Sequence, residues 1–592
     1  MRCADNLLDH YLMGGICSRK RDQQVTEDGV PRGVSGRYCK SSSSKWLATS
    51  LSRPIVKCNA GGSCLSLLEL CIHKIREDIN NYSSFSMLPR DVSQQIFDDM
   101  VSSHCLTEAS LEAFRDCALQ DICLGDYPGV KDSWLDFISS QGPSLLSVDL
   151  SGSDVMDSGL ARLKDCPNLQ GLTLNCCDRF SDYGLKHISG LSNLTSLSFK
   201  KSTALTAEGM RAFSSLVNLE KLDLERCSSI HGGFVHLKGL MKLRSLNMRC
   251  CKCIVDSDLK PLSGLSNLEE LQISYSNITD FGVSYLKGLH KLRMLNLEGC
   301  NVTAACLESI SVLVALAYLN LNRCGLSDDG CEKFSGLKAL KVLSLEFNEV
   351  TDACMVHLNG LTNLESLNLD SCKISDEGLA NLTGLALLRS LELSDTEVGS
   401  SGLRYLSGLT NLENLNLSFT LVTDSGLKKL SGLTSLKSLN LDARQITDTG
   451  LAVLTSLTGL THLDLFGARI TDSGTNSLRY FKNLQSLEIC GGGLTDTGVK
   501  NFQGLASLTL LNLSQNCNLT DKTLELISGL TSLVSLNVSN SRISNEGLQY
   551  LKPLKNLRSL TLESCKVTAS EIKKLQSISL PNLVSIRPEK RL

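Results

Sequence analysis

The sequence predicts an α/β solenoid, with short parallel strands on one side, helices on the other, and one unit repeated along the chain. Three observations predict it. From about Leu145 to the C-terminus a core of the form Leu-x-x-Leu-x-Leu recurs eighteen times, spaced 24 or 25 residues apart. Within each copy the apolar period changes. Leu367 and Leu369 are two apart, as on one face of a strand, while Leu379 and Leu382 are three apart, as on one face of a helix. Between them, Ser375-Asp376 places a capping hydroxyl and a carboxylate at the positive end of that helix. One copy cannot cover its own apolar face, and stacking covers it on both sides.

Composition narrows the function classes. The 592 residues carry 59 basic and 62 acidic side chains, a net charge of −3, which gives no reason to expect nucleic-acid binding. Of the 25 cysteines, seven (Cys177, Cys227, Cys251, Cys300, Cys324, Cys372 and Cys565) fall three residues after a core, where the chain turns inward. Their spacing is the repeat period, not a disulfide framework. No signal-type apolar stretch and no run of about 18 apolar residues is present. The expectation is free thiols in a reducing, cytoplasmic and/or nuclear compartment. No phosphate-binding glycine loop, zinc-spaced Cys/His pair or Ser/His/Asp set stands out, so the chain reads as non-enzymatic, without metal or cofactor.

Three regions follow in order. Residues 1–63 read as a disordered tail, with Ser41 to Ser44 in a row and little periodicity. Inside it, Met13-Gly14-Gly15-Ile16-Cys17-Ser18 before Arg19-Lys20-Arg21 matches an N-myristoylation pattern beside a palmitoylatable cysteine and a basic cluster. Lipidation of Gly14 and Cys17, and membrane attachment, would require a start at Met13 or cleavage there. Residues 64–118 read as a helical module. Leu65, Leu68, Ile72, Ile75 and Ile79 mark a first helix. Pro89 opens a second, striped by Val92, Ile96 and Met100 and widened by Phe97. A third is expected at 107–118. Residues 119–592 form the solenoid. Its first, degenerate repeat has a strand at Leu119-x-x-Ile122-x-Leu124 and a helix at 131–140.

These repeats, with their small inward residue, are leucine-rich repeats. They resemble the cysteine-containing class of the plant-type F-box/leucine-rich-repeat family, which implies a ribonuclease-inhibitor-like horseshoe. Leu88, Pro89, Val92, Ile96 and Phe97, with Met100 one turn on, resemble the opening of an F-box. That resemblance implies a Skp-type adaptor and a cullin as partners, and a role as substrate-recognition subunit of an SCF-type ubiquitin ligase. The segment departs from the family further on, where Cys117 and a late Trp134 replace its closing pattern. Ser66-Leu67-x-x-x-Cys71-x-x-x-Ile75 is similar to an elongin-C-binding box, which implies a different cullin. A third reading of both helices is a cap on the first repeat. The alternative function is an interaction scaffold, lipid-anchored if Gly14 is modified.

A protein substrate is expected on the concave strand side. The mid-strand position is polar down most of the array, from Asp223 and Asn247 to Asn440 and Asp464, as in a solvated ladder. The next two positions carry Arg226, Arg249, Tyr275, Arg323, Phe347, Phe419 and Phe466, aromatic and arginine side chains of the kind that anchor interfaces. Lys200 and Lys201 make the start basic, and Glu346, Asp370 and Asp395 make the middle acidic.

Overall fold

The computed structural model describes residues 66–442 and 445–587. The tail, with Gly14 and Cys17, lies outside the described residues. The described chain falls into two compact units, divided between Ser344 and Leu345.

The first unit opens with three helices, α1 (Leu67–Glu77), α2 (Arg90–Ser102) and the short α3 (Glu108–Leu111). Ser66 and Glu69 form a reciprocal capping box at the start of α1. The third helix is shorter than the expected 107–118. It passes into a 3-10 turn at Glu112–Phe114, and Asp116 and Ala118 then take left-handed backbone. Ten three-residue strands follow, from β1 (Asp121–Cys123) to Val342–Ser344, all parallel to their neighbours and in register. The helix after β1, α4 (Asp132–Ser140), completes the degenerate first repeat. The second unit repeats the plan with ten strands from Ser366–Asn368 to Ser585–Arg587, Leu367 pairing with Leu391 and Leu415 with Leu439.

The core is a stack of identical positions. Leu364, Leu367, Leu369, Ile374, Leu379 and Leu382 are all fully buried. The inward cysteines lie beneath the turn, and each thiol donates to the carbonyl of the last core residue one repeat earlier: Cys177 to Leu150 (3.1 Å), Cys251 to Leu224 (3.0 Å), Cys372 to Leu345 (3.1 Å). Where the position is not cysteine, Thr420 and Asn348 donate to the carbonyl of their own repeat. Burial pushes the Cys372 thiol up to about 12, so it stays protonated as a donor.

A second ladder ties repeat to repeat on the helical side. Ser375 caps its own helix by accepting from the Glu377 N–H. The following carboxylate, however, serves the next repeat. Asp424 accepts from the Thr447 N–H (2.9 Å) and its hydroxyl, and Asp448, Asp472 and Asp521 repeat this toward Thr471, Thr495 and Ser544. This explains the glycine two residues after Asp448 and Asp472. A Cβ on Gly450 would collide with Oδ1 of Asp424 in the preceding repeat. Thr523 occupies that slot by donating to Asp496 (2.6 Å). Asp424→Ala alone is therefore expected to cost about 1–3 kcal/mol, and Gly450→Ala about 1–3 kcal/mol through overpacking. The double variant should cost clearly less than the sum, because the added methyl enters vacated space. Urea unfolding with hydrogen exchange over 423–475 reads this out, and simple additivity would refute the ladder.

The stripe on α2 is a cap. Ile96, Phe97 and Met100 have no exposed surface. Phe97 stacks on Phe137 of α4 (5.8 Å) and meets Phe114 edge-on (5.4 Å). Gln94 completes the cover: its side chain accepts from the Gln120 and Asp121 N–H groups and donates to the Asp121 carbonyl (2.7 Å). The strand edge that the first repeat would leave open is thus hydrogen-bonded by a side chain. The expected adaptor face is corrected accordingly. Ile96, Phe97 and Met100 are core, Val92 is half-buried, and only Leu88 and Pro89 are exposed.

A row of side chains on the sheet face

The mid-strand polar residues are not a solvated ladder. Asn296, Asn320, Asn416 and Asn440 are buried, and each accepts through its side-chain oxygen from the backbone N–H two residues later. Asp223, Asn247 and Asp464 do the same toward Glu225, Arg249 and Phe466. Such an Asx turn ends the strand and bends the chain sharply. The signal was in the sequence, as Asn or Asp at a fixed offset before each turn.

The bend puts the next residue in left-handed backbone. In the first unit Lys201, Arg226, Tyr275 and Arg323 have φ of 57, 61, 59 and 56°, and in the second Phe347 and Phe419 have 56°. Gly299 and Gly467 stand at the equivalent place in other repeats. Five of the seven expected substrate residues therefore sit on this row. Arg249 and Phe466 sit one residue earlier, Arg249 exposed and Phe466 half-buried. A bulky residue in left-handed backbone costs about 1–2 kcal/mol relative to its usual conformation. These repeats keep large side chains where glycine fits, and that conformation directs them away from the packed core.

Their surroundings differ. Tyr275 donates from its hydroxyl to Glu298 (2.5 Å). Arg226 is exposed beside Glu225 (3.9 Å), and Lys200 pairs with Asp223 (3.0 Å) and Glu225 (3.8 Å), so the basic start has carboxylates beneath it. Phe419 is 55% exposed, an aromatic ring presented to solvent. Phe419→Gly should leave stability within about 1 kcal/mol of wild type. Relief of left-handed strain offsets the extra entropy glycine loses on folding. An unchanged urea midpoint would make it a clean probe of binding, and a loss above about 3 kcal/mol, beyond the range of an ordinary surface change, would show the ring to be structural.

Other candidates are structural. A groove of about 530 Å3 lined by Gln170, Thr195 and Glu220 is bridged by Asn168, Asn193 and Asn218, which donate to carbonyls of the preceding repeat. In Cys250-Cys251-Lys252-Cys253, burial holds the Cys251 thiol well above its ordinary range. No helix among the described residues is long and apolar enough to cross a membrane.

Fold and side-chain rows define a leucine-rich-repeat solenoid. The leucine rich repeat family profiles match residues 241–302, 314–374 and 482–543, and, in a second form, 385–407, 408–431 and 457–476. No curated protein matches the chain. Among solved structures it is similar to an internalin from Listeria monocytogenes (26% identity over 57% of this chain and 89% of that one, TM-score 0.44). It is similar also to TLR13 in complex with ssRNA13 (24%, 79% and 70%, 0.48). A third is the leucine-rich-repeat ectodomain of the Arabidopsis receptor kinase HAESA with a peptide hormone (17%, 79% and 82%, 0.46).

Proposed function

We propose that the chain is a non-catalytic protein-recognition scaffold that holds a protein partner on its sheet face. The observation that carries this reading is the left-handed row, where Tyr275, Arg323, Phe347 and Phe419 hold large side chains at a strained position that glycine fills elsewhere. Strain kept against an available glycine fits a role for the side chain outside the fold. The inward cysteines Cys177, Cys227, Cys251, Cys300, Cys372 and Cys565 are free thiols, in keeping with a reducing compartment.

A second reading, as substrate-recognition subunit of a cullin–RING ubiquitin ligase, draws support from the helical cap. Apolar side chains remain outward there: Met87 (94% exposed), Leu67 (78%), Leu70 and Leu88. Leu67 and Cys71 of the elongin-type pattern are both exposed, on the helix face opposite the buried Ile72. An adaptor would sit on these residues, not on the Ile96/Phe97/Met100 stripe. The test is capture of the purified chain by a Skp-type adaptor and, separately, by an elongin-C-type adaptor, beside Leu67→Asp and Leu88→Asp shown folded by circular dichroism. Loss with Leu88→Asp alone favours the Skp type, and loss with Leu67→Asp alone the elongin type. No capture by either removes the ligase reading and leaves the scaffold.

A further inference from the structure

One stretch of the first unit's sheet face is cationic. Side chains alternate along a strand, so the residues flanking each buried mid-strand leucine look outward, and the two residues after the core join them. On the successive strands Ser196–Ser198, Lys221–Asp223 and Ser245–Asn247 these positions carry Lys200, Lys201, Lys221, Arg226 and Arg249. The acids among them are Asp223 and Glu225. The strands pair in register, Leu197 with Leu222 and Leu222 with Leu246, so the five cations fall within about 10 Å across the sheet. At the strand entries Glu220 and Arg244 oppose each other in sign, and on the next strand Glu270 accepts from the Ser245 hydroxyl (2.8 Å). The whole chain has a net charge of −3, so the cationic excess is local.

Two features set this patch apart from an ordinary solvated surface. Its own acids do not neutralise it. Lys200 pairs with Asp223 (3.0 Å) and Glu225 (3.8 Å), and Arg226 stands 3.9 Å from Glu225. Both acids are thereby engaged, while Lys201, Lys221 and Arg249 are exposed and make no ion pair among the described residues. The second feature is the backbone. Lys201 and Arg226 hold left-handed φ of 57 and 61°, at a place that Gly152 and Gly299 fill in other repeats of the same unit. The turn does not need their side chains. The Lys201 N–H donates to the Glu225 carbonyl (2.7 Å) and the Arg226 N–H to the Arg249 carbonyl (2.8 Å), bonds that glycine would keep. Like charges held close together repel until an anion arrives.

We infer that the sheet face over residues 196–250 docks an acidic protein segment, one whose aspartate and glutamate side chains are spaced by uncharged residues. This rests on the recognition reading above and adds the chemistry of the partner. The guanidinium groups of Arg226 and Arg249 each match a carboxylate with two parallel hydrogen bonds, and Lys201 and Lys221 take further carboxylates as point charges. Opposite charge on the partner removes the repulsion, fixes register and speeds encounter. Spacing follows from Asp223 and Glu225, which lie inside the patch. A continuous polyanion would press charge onto them, whereas a peptide can set a backbone N–H or a neutral side chain there. Nucleic acid fits less well for the same reason, and no outward position of these three strands carries a ring on which a base could stack.

The experiment uses the full chain and a fluorescein-labelled dodecapeptide of alternating glutamate and glycine, at about 0.15 M salt, where long-range attraction is screened. The controls are the glutamine–glycine peptide and an oligouridylate of the same length. Binding is expected for the glutamate peptide only. The double variant Lys201→Gly with Arg249→Gln, shown folded by an unchanged urea midpoint, should weaken it at least tenfold, and Lys221→Gln at least threefold. Neutralising Lys260 and Lys287 on the helical side should leave it unchanged. Hydrogen exchange should show protection over 196–201, 221–226 and 245–250. Unchanged affinity in the sheet-face variants, protection confined to the helical side, or no peptide binding would each overturn the inference. Oligouridylate bound through these same residues in place of the peptide would overturn it in favour of a nucleic acid. Photocrosslinking in source-cell extract from benzoylphenylalanine at positions 275 and 419 separates the two claims. A captured partner whose contact segment is not acidic, alongside no peptide binding, overturns the charge inference and leaves recognition standing. No captured partner and no peptide binding removes both.

Discussion

Phe97→Ala is expected to destabilise the first unit by about 3–5 kcal/mol. The ring is fully buried, stacked on Phe137 of the first repeat and edge-on to Phe114, which in turn lies against Phe85 (4.9 Å). Its removal leaves a cavity at the joint between cap and solenoid, where both sides are fixed by backbone hydrogen bonds and little can collapse inward. A repeat array is stabilised by nearest neighbours, so the loss should spread from α2 into the first repeats and fade along the stack. Hydrogen exchange at 90–140, with urea unfolding of the whole chain, measures it. Leu67→Ala, on the outward side of α1, should stay within about 0.5 kcal/mol. An adaptor assay on a Phe97 variant would therefore report a damaged cap, whereas Leu67 and Leu88 can be altered with the fold intact. A Phe97→Ala chain with wild-type exchange rates at Ile122 and Leu124 would mean that the cap does not hold the first strand.

The period, the strand and helix faces and the inward cysteine position were legible because each is written within a single repeat. What the sequence concealed lies between repeats. The aspartate of the Ser/Thr-Asp-x-Gly-Leu segment reads as a cap for its own helix. Its partners are a threonine and a glycine about two dozen residues on, as Asp424 meets Thr447 and Gly450. Likewise Asn440 looked like a solvated side chain. Its role, accepting the Asp442 N–H, is to turn the chain into the left-handed row. The stripe of α2 misled for a different reason. Val92, Ile96, Phe97 and Met100 specify an amphipathic helix, and amphipathicity is the same whether the apolar face meets an adaptor or the molecule's own first repeat. Gln94 was the available clue: a long amide on the same helix, two residues after Val92, is placed to satisfy a bare strand edge.

Glu392→Gln is expected to stabilise the second unit, increasingly so as pH rises. Burial, then the neighbouring Asp370 and Glu346, push the Glu392 carboxyl from 4.5 up to about 8, and a hydrogen bond with Asn416 offsets only part of this. The folded chain therefore holds a proton that the unfolded chain releases. Stability from this group is fully present below about pH 4.5 and is lost progressively as pH rises to about 8. At pH 7 the loss is about 3 kcal/mol, since each tenfold difference in proton affinity between the folded and unfolded chain is worth roughly 1.4 kcal/mol. The glutamine variant has nothing to ionise, so its urea midpoint should match wild type near pH 4.5 and exceed it by most of that amount at pH 8. Parallel pH profiles would show that the carboxylate is solvated after all.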